Sequence, residues 1–288
     1  MENKAIKNRY DFVFLFDVKD GNPNGDPDQD NLPRVDAENQ EGLITDVCIK
    51  RKVRNFVQLK KSKIGEDGKY IPESGFDIFI RQGNILNNLI DGSSGDTPHK
   101  RQSNICKDYY DVRTFGAVLS TGDKGAGTVR GPVQFTFSRS EDRIYQAEHS
   151  ITRCAVTTEK EAKSQEKREN ASTFGRKTTV PYALYRMHGF ISAVDAQKTG
   201  FSEDDLNLLW EALLNAFEHD RAAARGEMNP RKLIVFRHNN HLGSARSGEL
   251  FEKVKIKKTT DLPRSWDDYS VKIEDTNIPQ GVTIEELL

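Results

Sequence analysis

Residues 9–18 read RYDFVFLFDV, a run of aromatic and β-branched side chains that ends shortly before an Asp-Gly pair. This composition is typical of a β-strand, and the turn-forming pair marks its end. Both faces of such a strand are apolar at its centre, with Phe12, Phe14 and Phe16 on one and Val13 and Leu15 on the other. Since a strand of this kind needs cover on both sides, the sequence predicts a sheet that is covered on both faces.

The segment that follows, residues 21–31, reads GNPNGDPDQDN. It contains only residues that favour turns, so we expect a loop on the surface at the end of the first strand. A helix is predicted from Thr45 or Asp46 onward, because apolar residues then recur at i, i+4, i+7 and i+8: Ile49, Val53, Phe56 and Val57.

This helix is strongly basic. Residues 45–61 hold one acid, Asp46, and six bases: Lys50, Arg51, Lys52, Arg54, Lys60 and Lys61. A second stripe at helical spacing comprises Lys50, Arg54, Gln58 and Lys61, with Arg51 beside it. Cations placed a turn apart can follow a phosphodiester backbone, whereas a solvated helix face with extended lysines would show the same pattern.

The composition is that of a globular protein. The 288 residues are 35% hydrophobic and 30% charged, with a net charge of −1, so a polyanion would have to be held by local patches. No run is long enough to span a membrane, and the N-terminus lacks the apolar core of a signal peptide; we therefore expect a cytoplasmic protein. The three cysteines are far apart, which indicates neither a disulfide framework nor a zinc site.

The middle of the chain alternates between short regular elements and loops. We expect a short strand at 76–81, a turn of helix at 83–90, a flexible segment at 91–104 with the cluster His99-Lys100-Arg101, and a helix at 108–119 carrying Arg113. The glycine-rich loop 120–132 lacks the lysine of a phosphate-binding P-loop, since Thr128 stands in that place. Its glycines allow another backbone to approach closely, with Arg130 at its edge.

Residues 158–179 form the most polar segment, with six bases, four acids and Phe174 as almost the only hydrophobic residue. Such a segment cannot pack into a core. Because candidate strands flank it at 144–157 and 182–194, we expect an arm or hairpin tip whose Phe174 can wedge or stack; a loop without a role has the same composition.

The C-terminal half predicts a well-specified helix that starts after Ser202, with Asp205 completing a capping box and Arg221 and Arg225 in the last turn. A buried strand follows at 232–238. The resulting βαββαβ order indicates an α+β fold with a ferredoxin-like or RNA-recognition-motif core. The aromatic signature of an ordinary RNA-recognition motif is absent, so bases are not expected to stack across the sheet.

Candidate chemistry is sparse. Asp26, Asp28 and Asp30 alternate in the first loop, yet a calcium-binding loop starting there would need Gly and Glu where Asn31 and Ala37 stand. Loop carboxylates can also gather magnesium for phosphodiester cleavage, or serve only as turn formers. His238 and His241 lack a third ligand at a useful spacing, and no nucleophile motif is present.

Several separate stretches together carry a resemblance: residues 9–36, the basic helix TDVCIKRKVRNFV, DVRTFGAVLSTG and VRGPVQFTFSRS. They are similar to the backbone subunit of type I-C CRISPR surveillance complexes, the Cascade-type assemblies, over about residues 10–241. The resemblance implies one domain, 1–288, with a modified RNA-recognition-motif palm, a finger-like insertion at 62–107 and a protruding β-hairpin thumb at 152–181. It also implies that the protein needs no cofactor and has no catalytic activity.

The same resemblance implies partners. Several copies would polymerise along one CRISPR RNA, hold its backbone without regard to sequence, and present its bases to target DNA, beside other Cascade subunits and a recruited helicase-nuclease. The RNA contacts expected on this basis are Asn22, Asn24, Lys50, Arg51, Arg54, Gln58, Arg113, Arg130, Arg153, Phe174, Arg176 and Lys177.

Two other functions stay open at this point. Backbone subunits of type III complexes cut target RNA with an acidic loop residue, and Asp26, Asp28, Asp30 or Asp36 could serve in that way here. Alternatively, the protein could be a scaffold that touches no nucleic acid.

Overall fold

The computed structural model describes residues 4–153, 155–156, 158–160 and 173–288, with the backbone alone for residues 153, 173 and 174. The helices are α1 (Asp46–Lys60), α2 (Leu86–Asp91), α3 (Pro98–Asp108), α4 (Tyr110–Phe115), α5 (Ala193–Thr199), α6 (Glu203–Leu214) and α7 (Ser247–Phe251). The strands are β1 (Tyr10–Gly21), β2 (Gly25–Asp26), β3 (Leu32–Pro33), β4 (Glu41–Ile44), β5 (Ser62–Ile64), β6 (Tyr70–Pro72), β7 (Gly116–Leu119), β8 (Gly127–Arg130), β9 (Val133–Phe135), β10 (Ser138–Arg143), β11 (Ala147–Arg153), β12 (Thr173–Ile191), β13 (Glu227–His238), β14 (Val254–Lys258), β15 (Tyr269–Ile273) and β16 (Val282–Glu286).

The fold is mixed α+β, built on one large antiparallel sheet. The strand order is β16-β13-β1-β12-β10-β4, and β9 and β11 also pair with β12. Strand β1 lies inside this sheet, bonded to β12 on one side and to β13 on the other. Its pairing with β13 shifts register between Leu15 and Phe16, next to Pro230, which fits the rule that proline inside a sheet sits at irregularities.

The two faces of β1 belong to different hydrophobic cores. Phe12, Phe14 and Phe16 pack in a first cluster together with the apolar stripes of α1 and α6. Val13 and Leu15 pack in a second cluster, which the segment from α7 to β16 covers. The sheet is therefore buried on both faces, as the apolar centre of the first strand predicted.

The second core also closes the sheet face opposite α1 and α6. Phe251 of α7 stacks on the ring of His188 in β12, with 4.0 Å between ring centroids and 10° between the planes. The Arg186 guanidinium donates to the carbonyl oxygens of Phe251 and Val254. Since protein side chains cover this face, it offers no platform on which bases could stack.

The predicted capping box of α6 is confirmed, with the Ser202 hydroxyl accepting from the Asp205 amide and the Asp205 carboxylate accepting from the Ser202 amide. The predicted end of this helix was wrong, because α6 stops at Leu214. Arg221 pairs with Glu218 and Arg225 with Asp220, so both arginines lie in the turns that follow rather than at a helix terminus.

The predicted strand at 76–81 was also wrong, apart from one bridge between Asp77 and Tyr109. Side chains satisfy its backbone groups instead of a neighbouring strand: the Asp111 carboxylate accepts from the amides of Phe79 and Ile80, at 2.7 and 3.0 Å. The Asn84 amide donates to the carbonyl oxygens of the same segment. The alternating apolar residues of this segment therefore do not mark a strand. Hydrogen bonds with the side chains of Asp111 and Asn84 hold its backbone in place.

Two further predictions, a loop at 91–104 and a helix at 108–119, need correction. The segment 91–104 is not wholly a loop, because α3 starts at Pro98 with Thr97 as its N-cap, so that His99-Lys100-Arg101 lies in a helix. The helix predicted at 108–119 ends at Phe115, and the chain then turns into a hairpin, β7–β8, within the glycine-rich stretch. The predicted close approach is confirmed at Gly131, where a Cβ atom would lie 2.2 Å from the carbonyl carbon of Phe115.

Candidate nucleic-acid interface

The first loop fixes the start of α1 instead of standing free on the surface. Its first three residues, 21–23, are buried, which corrects the surface prediction for that part of the loop. The Asn24 side-chain oxygen accepts from the Thr45 amide at 2.9 Å and from the Thr45 hydroxyl at 3.0 Å, and so satisfies groups at the helix N-terminus. The Asn22 side chain donates to the Asn31 carbonyl oxygen at 2.7 Å. Of the two predicted RNA contacts in this loop, Asn24 thus positions the helix, and the Asn22 side chain bonds within the loop.

Most cations of α1 are neutralised by carboxylates, several of them distant in sequence. The pairs are Lys50–Asp46, Lys52–Asp220, Arg54–Asp111, Lys60–Glu211 and Lys61–Glu73. Lys50 also lies over the rings of Phe115 and Phe135, so its side chain is only 12% exposed. Of the six bases, Arg51 alone has no carboxylate partner among the described residues; its guanidinium contacts the Gln82 side-chain oxygen at 3.4 Å.

The side chain of Arg51 lines a cleft of about 820 Å³, which lies between α1 and the segment 78–84. The described residues that line it include no Asp or Glu, and they are Arg51, Arg54, Asn55, Gln58, Leu59, Lys69, Tyr70, Ile78, Ile80, Arg81, Gln82, Gly83, Asn84 and His219. Cationic and amide side chains line the space beside apolar ones. This lining suits a sugar-phosphate chain, which needs positive charge and hydrogen-bond donors.

The Asp111 carboxylate holds the two walls of this cleft together. It accepts from the Arg54 Nε at 2.7 Å on the helix side and from two backbone amides of the opposite wall. The side chain of Asp111 is 1% exposed and that of Arg54 is 11% exposed. Because the bonds are buried and charge-assisted, they fix the width of the cleft at its base. Asp111 gave no signal in the sequence, since its partners are distant along the chain.

Arg113 is occupied elsewhere. Its guanidinium forms two hydrogen bonds with the Asp205 carboxylate, at 3.1 and 2.8 Å, and it packs over the rings of Phe76 and Tyr110. The residue is 7% exposed. The structure therefore gives Arg113 the task of joining α4 to the N-terminus of α6, rather than the exposed position expected for an RNA contact.

Arg130 is exposed at the end of β8. Its side chain is 81% exposed and lies 3.4 Å from the Asp195 carboxylate. An ion pair this exposed contributes little and leaves the guanidinium accessible to an anion. Arg130 is thus available for the predicted RNA contact. Arg113 is buried and is not available for it.

The predicted arm begins as a hairpin of β11 and β12, paired from Ala147↔Thr179 to Arg153↔Thr173. Arg176 is 81% exposed and pairs with Glu148, while the Lys177 ammonium donates to the Ala223 carbonyl oxygen at 2.5 Å. The side chains of Arg153 and Phe174 lie outside the described residues, as do residues 161–172. Their predicted contacts remain predictions.

The acidic loop serves local structure. Asp26 caps a short 3₁₀ helix and pairs with Arg34 at 3.2 Å. Asp36 pairs with Arg139 at 2.8 Å, and the hydrogen bond from Arg139 lowers the pKa of the Asp36 carboxyl. Among the described residues, no three His, Cys, Asp or Glu side chains are grouped so that they could hold a metal ion. His238, the other candidate ligand, is buried against Asp11 at 2.9 Å.

Similarity to known proteins identifies the family. Residues 8–274 match the family described as CRISPR-associated protein Cas7. The chain belongs to the Cas7 family. A curated relative from Haloferax volcanii, named CRISPR-associated protein Cas7, is 26% identical over 239 residues, which make up 72% of this chain. The chain spans 65% of the length of that relative.

The fold is also found in solved structures. A chain in a structure titled "CRISPR RNA-guided surveillance complex, pre-nicking" superposes with a TM-score of 0.50, at 12% identity, over 79% of this chain and 78% of that one. This likeness confirms the α+β fold with its large antiparallel sheet. In the part of the chain that the structure describes, no helix is both long and apolar enough to cross a membrane.

Proposed function

We propose that the chain is the guide-RNA-binding backbone subunit of a type I-C Cascade-type complex. Copies polymerise along the CRISPR RNA, hold its backbone without reading its sequence, and leave its bases free to pair with target DNA. Other Cascade subunits and a recruited helicase-nuclease complete the assembly. The palm is RNA-recognition-motif-like and comprises β1, α1, β10, β12, α6 and β13; residues 62–107 are the finger insertion and 152–181 the thumb.

The acid-free cleft beside α1 carries this proposal. Arg51, the cation of the helix that has no carboxylate partner among the described residues, lies there with polar side chains of the opposite wall, Arg81, Gln82 and Asn84. A guide must vary in sequence, so its holder is expected to contact phosphates and sugars and to leave the base edges alone. The closed second face of the sheet supports the same conclusion, because it offers no site for reading bases.

Recovery of RNA with the purified full chain tests the proposal. We expect RNA of uniform length that is lost as the salt concentration rises, since phosphate contacts release counterions on binding. Absence of RNA at low salt would favour a scaffold that touches no nucleic acid.

We propose that the subunit catalyses no reaction. Asp26 and Asp36 are engaged by Arg34 and Arg139, which supports a structural role for the acidic loop. Incubation of the assembled complex with complementary RNA and Mg²⁺ should leave that RNA intact. Regularly spaced cuts that disappear in Asp26→Ala or Asp36→Ala would establish the nuclease instead.

A further inference from the structure

A second cationic surface lies on the hairpin formed by β14 and β15. The strands pair in antiparallel register, Val254↔Ile273, Lys255↔Lys272, Ile256↔Val271 and Lys257↔Ser270. Val254, Tyr269 and their alternate neighbours pack into the second core. Side chains alternate across a strand, so the register places Lys255, Lys257 and Lys272 together on the outer face of the hairpin.

These three lysines are exposed and form no ion pair among the described residues. Their neighbours differ: the Lys258 ammonium pairs with Asp142 at 2.9 Å, and the Lys253 ammonium donates to the Thr276 carbonyl oxygen at 3.3 Å. The nearest acid in register is Glu274, whose amide bonds to the Lys253 carbonyl oxygen. The outer face therefore holds lysines at 253, 255, 257 and 272 against one glutamate.

The arrangement conflicts with the hairpin's own stability. Lys255 and Lys272 are directly opposite, a position where Cβ atoms are about 5 Å apart and like charges are destabilising. Lysines on edge strands also discourage edge-to-edge association, but single lysines achieve this without an opposed pair. A bound polyanion would relieve the repulsion that the fold leaves in place.

The hairpin and the cleft lie on opposite sides of the central sheet. Helix α1 packs on the face of β1 that carries Phe12, Phe14 and Phe16, whereas Val254 and Tyr269 pack on the face that carries Val13 and Leu15. A strand held beside Arg51 is thus separated from the hairpin by the whole sheet. A nucleic acid bound to the hairpin would therefore contact a surface that is separate from the cleft.

We propose that the outer face of the β14–β15 hairpin binds the sugar-phosphate backbone of double-stranded DNA, independently of its sequence. The face presents lysines, Ser270 and Glu274, and no aromatic side chain. Single strands are held by aromatic stacking combined with charge, while a duplex with its bases stacked inside needs only phosphate contacts. The lining therefore favours a duplex over a single strand.

The test measures duplex binding by the full chain carrying its co-purified RNA. The probe is a labelled DNA duplex with no complementarity to that RNA, titrated at several salt concentrations, and the variant is Lys255→Gln/Lys257→Gln/Lys272→Gln. We expect at least about tenfold weaker binding at low salt, and a log–log salt slope reduced by about 0.9 for each phosphate that the variant no longer neutralises. The RNA content of the preparation should not change.

A matched triple variant, Lys4→Gln/Lys7→Gln/Lys107→Gln, removes the same charge at exposed positions elsewhere and should bind the duplex as the unmodified chain does. Equal losses in the two variants, or an unchanged slope in the hairpin variant, would overturn the proposal. If the hairpin variant aggregates while its duplex binding is unchanged, the proposal is also overturned. The lysines would then serve to prevent association between the edges of sheets. Tighter binding of single-stranded than of duplex DNA would also contradict it. Loss of RNA from every preparation would instead count against the proposed function.

Discussion

Helix α1 and the β14–β15 hairpin both begin from basic runs, KRKVR at 50–54 and KVKIKK at 253–258, yet the fold treats them differently. On α1, carboxylates from α4, from α6 and from the turn after it neutralise the cations. On the hairpin, the outer lysines have no such partner among the described residues. A basic run therefore indicates a binding surface only where the fold brings no acid to it.

The difference follows from burial. Lys52 and Arg54 lie on the part of α1 that packs against the protein, and Lys52 is 2% exposed. Placing a charge there is costly unless an opposite charge accompanies it. The hairpin lysines remain in water, where an unpaired charge carries no desolvation cost and stays available to a ligand.

The largest effect on stability should come from removing Asp205, a buried acid that caps α6 and pairs with Arg113 of α4. Asp205→Ala deletes the capping box of α6 and leaves the buried Arg113 guanidinium without a counter-charge. We expect a loss of about 4 kcal/mol in the free energy of unfolding, measured by urea denaturation. Glu203→Ala, an exposed acid in the same helical turn, is the control and should cost less than about 1 kcal/mol. Equal losses would show that the buried pair is not special.

A smaller loss in the free energy of unfolding is expected from a substitution at the base of the cleft. Asp111→Asn keeps the shape of the side chain but removes the charge that Arg54 faces, and should cost about 3 kcal/mol. Because the wall at 78–84 then loosens, RNA retention should fall as well. Asp108→Asn, an exposed change on α3, should alter neither quantity. Unchanged RNA retention in a folded Asp111→Asn protein would remove the positioning role.

The imidazole of His188, which stacks on Phe251 of α7, should make stability depend on pH. Burial, together with the nearby Arg186 guanidinium, lowers the pKa of His188 from 6.5 to about 4. The folded state thus disfavours the protonated imidazole. The stability that depends on a neutral His188 is therefore fully present above about pH 6.5, and it is lost as the pH falls toward 4. We expect a loss of roughly 2 kcal/mol from this group, seen in urea denaturation between pH 7 and 4.

His188→Gln should flatten that pH dependence, whereas His99→Gln, which removes an exposed imidazole on α3, should leave its shape unchanged. A pH profile identical in all three proteins would contradict the assignment to His188.

The smallest effect on stability is predicted at the open cation of α1. Arg51→Gln should change the free energy of unfolding by less than about 0.5 kcal/mol, because its only described partner is the Gln82 amide. It should nevertheless weaken RNA retention and lower the log–log salt slope by about 1 for each copy. Lys60→Gln removes a charge that Glu211 already neutralises on the same helix, and should leave the slope unchanged. Equal slopes in the two variants would contradict the distinction between Lys60, which a carboxylate neutralises, and Arg51, which has no described carboxylate partner.

The sequence predicted the parts of the fold that depend on local pattern. The apolar faces of β1, the stripe of α1 and the capping box of Ser202 and Asp205 all arise from residues close together in the chain, and each is found where expected. The segment 76–81 was misassigned because its backbone partners, Asp111 and Asn84, are side chains that no periodicity reveals. Thr97-Pro98 was the available signal for α3, since this pair is typical of a helix start.

The candidate site was predicted less fully than the fold. The basic helix was identified, but which of its cations stay open depends on acids up to 168 residues away, as for Lys52 and Asp220. The opposite wall, with Arg81, Gln82 and Asn84, could not be assigned because nothing in the sequence places it against α1. Charge counts over a window omit such long-range partners, and so overestimated the free positive charge of the helix.

A map of the full chain with its co-purified RNA, obtained by electron microscopy, tests the central claim most directly. We expect a sugar-phosphate backbone in the cleft between α1 and residues 78–84, with a phosphate within hydrogen-bonding distance of the Arg51 guanidinium. A cleft filled by protein or open to solvent, with the RNA bound elsewhere, would contradict it.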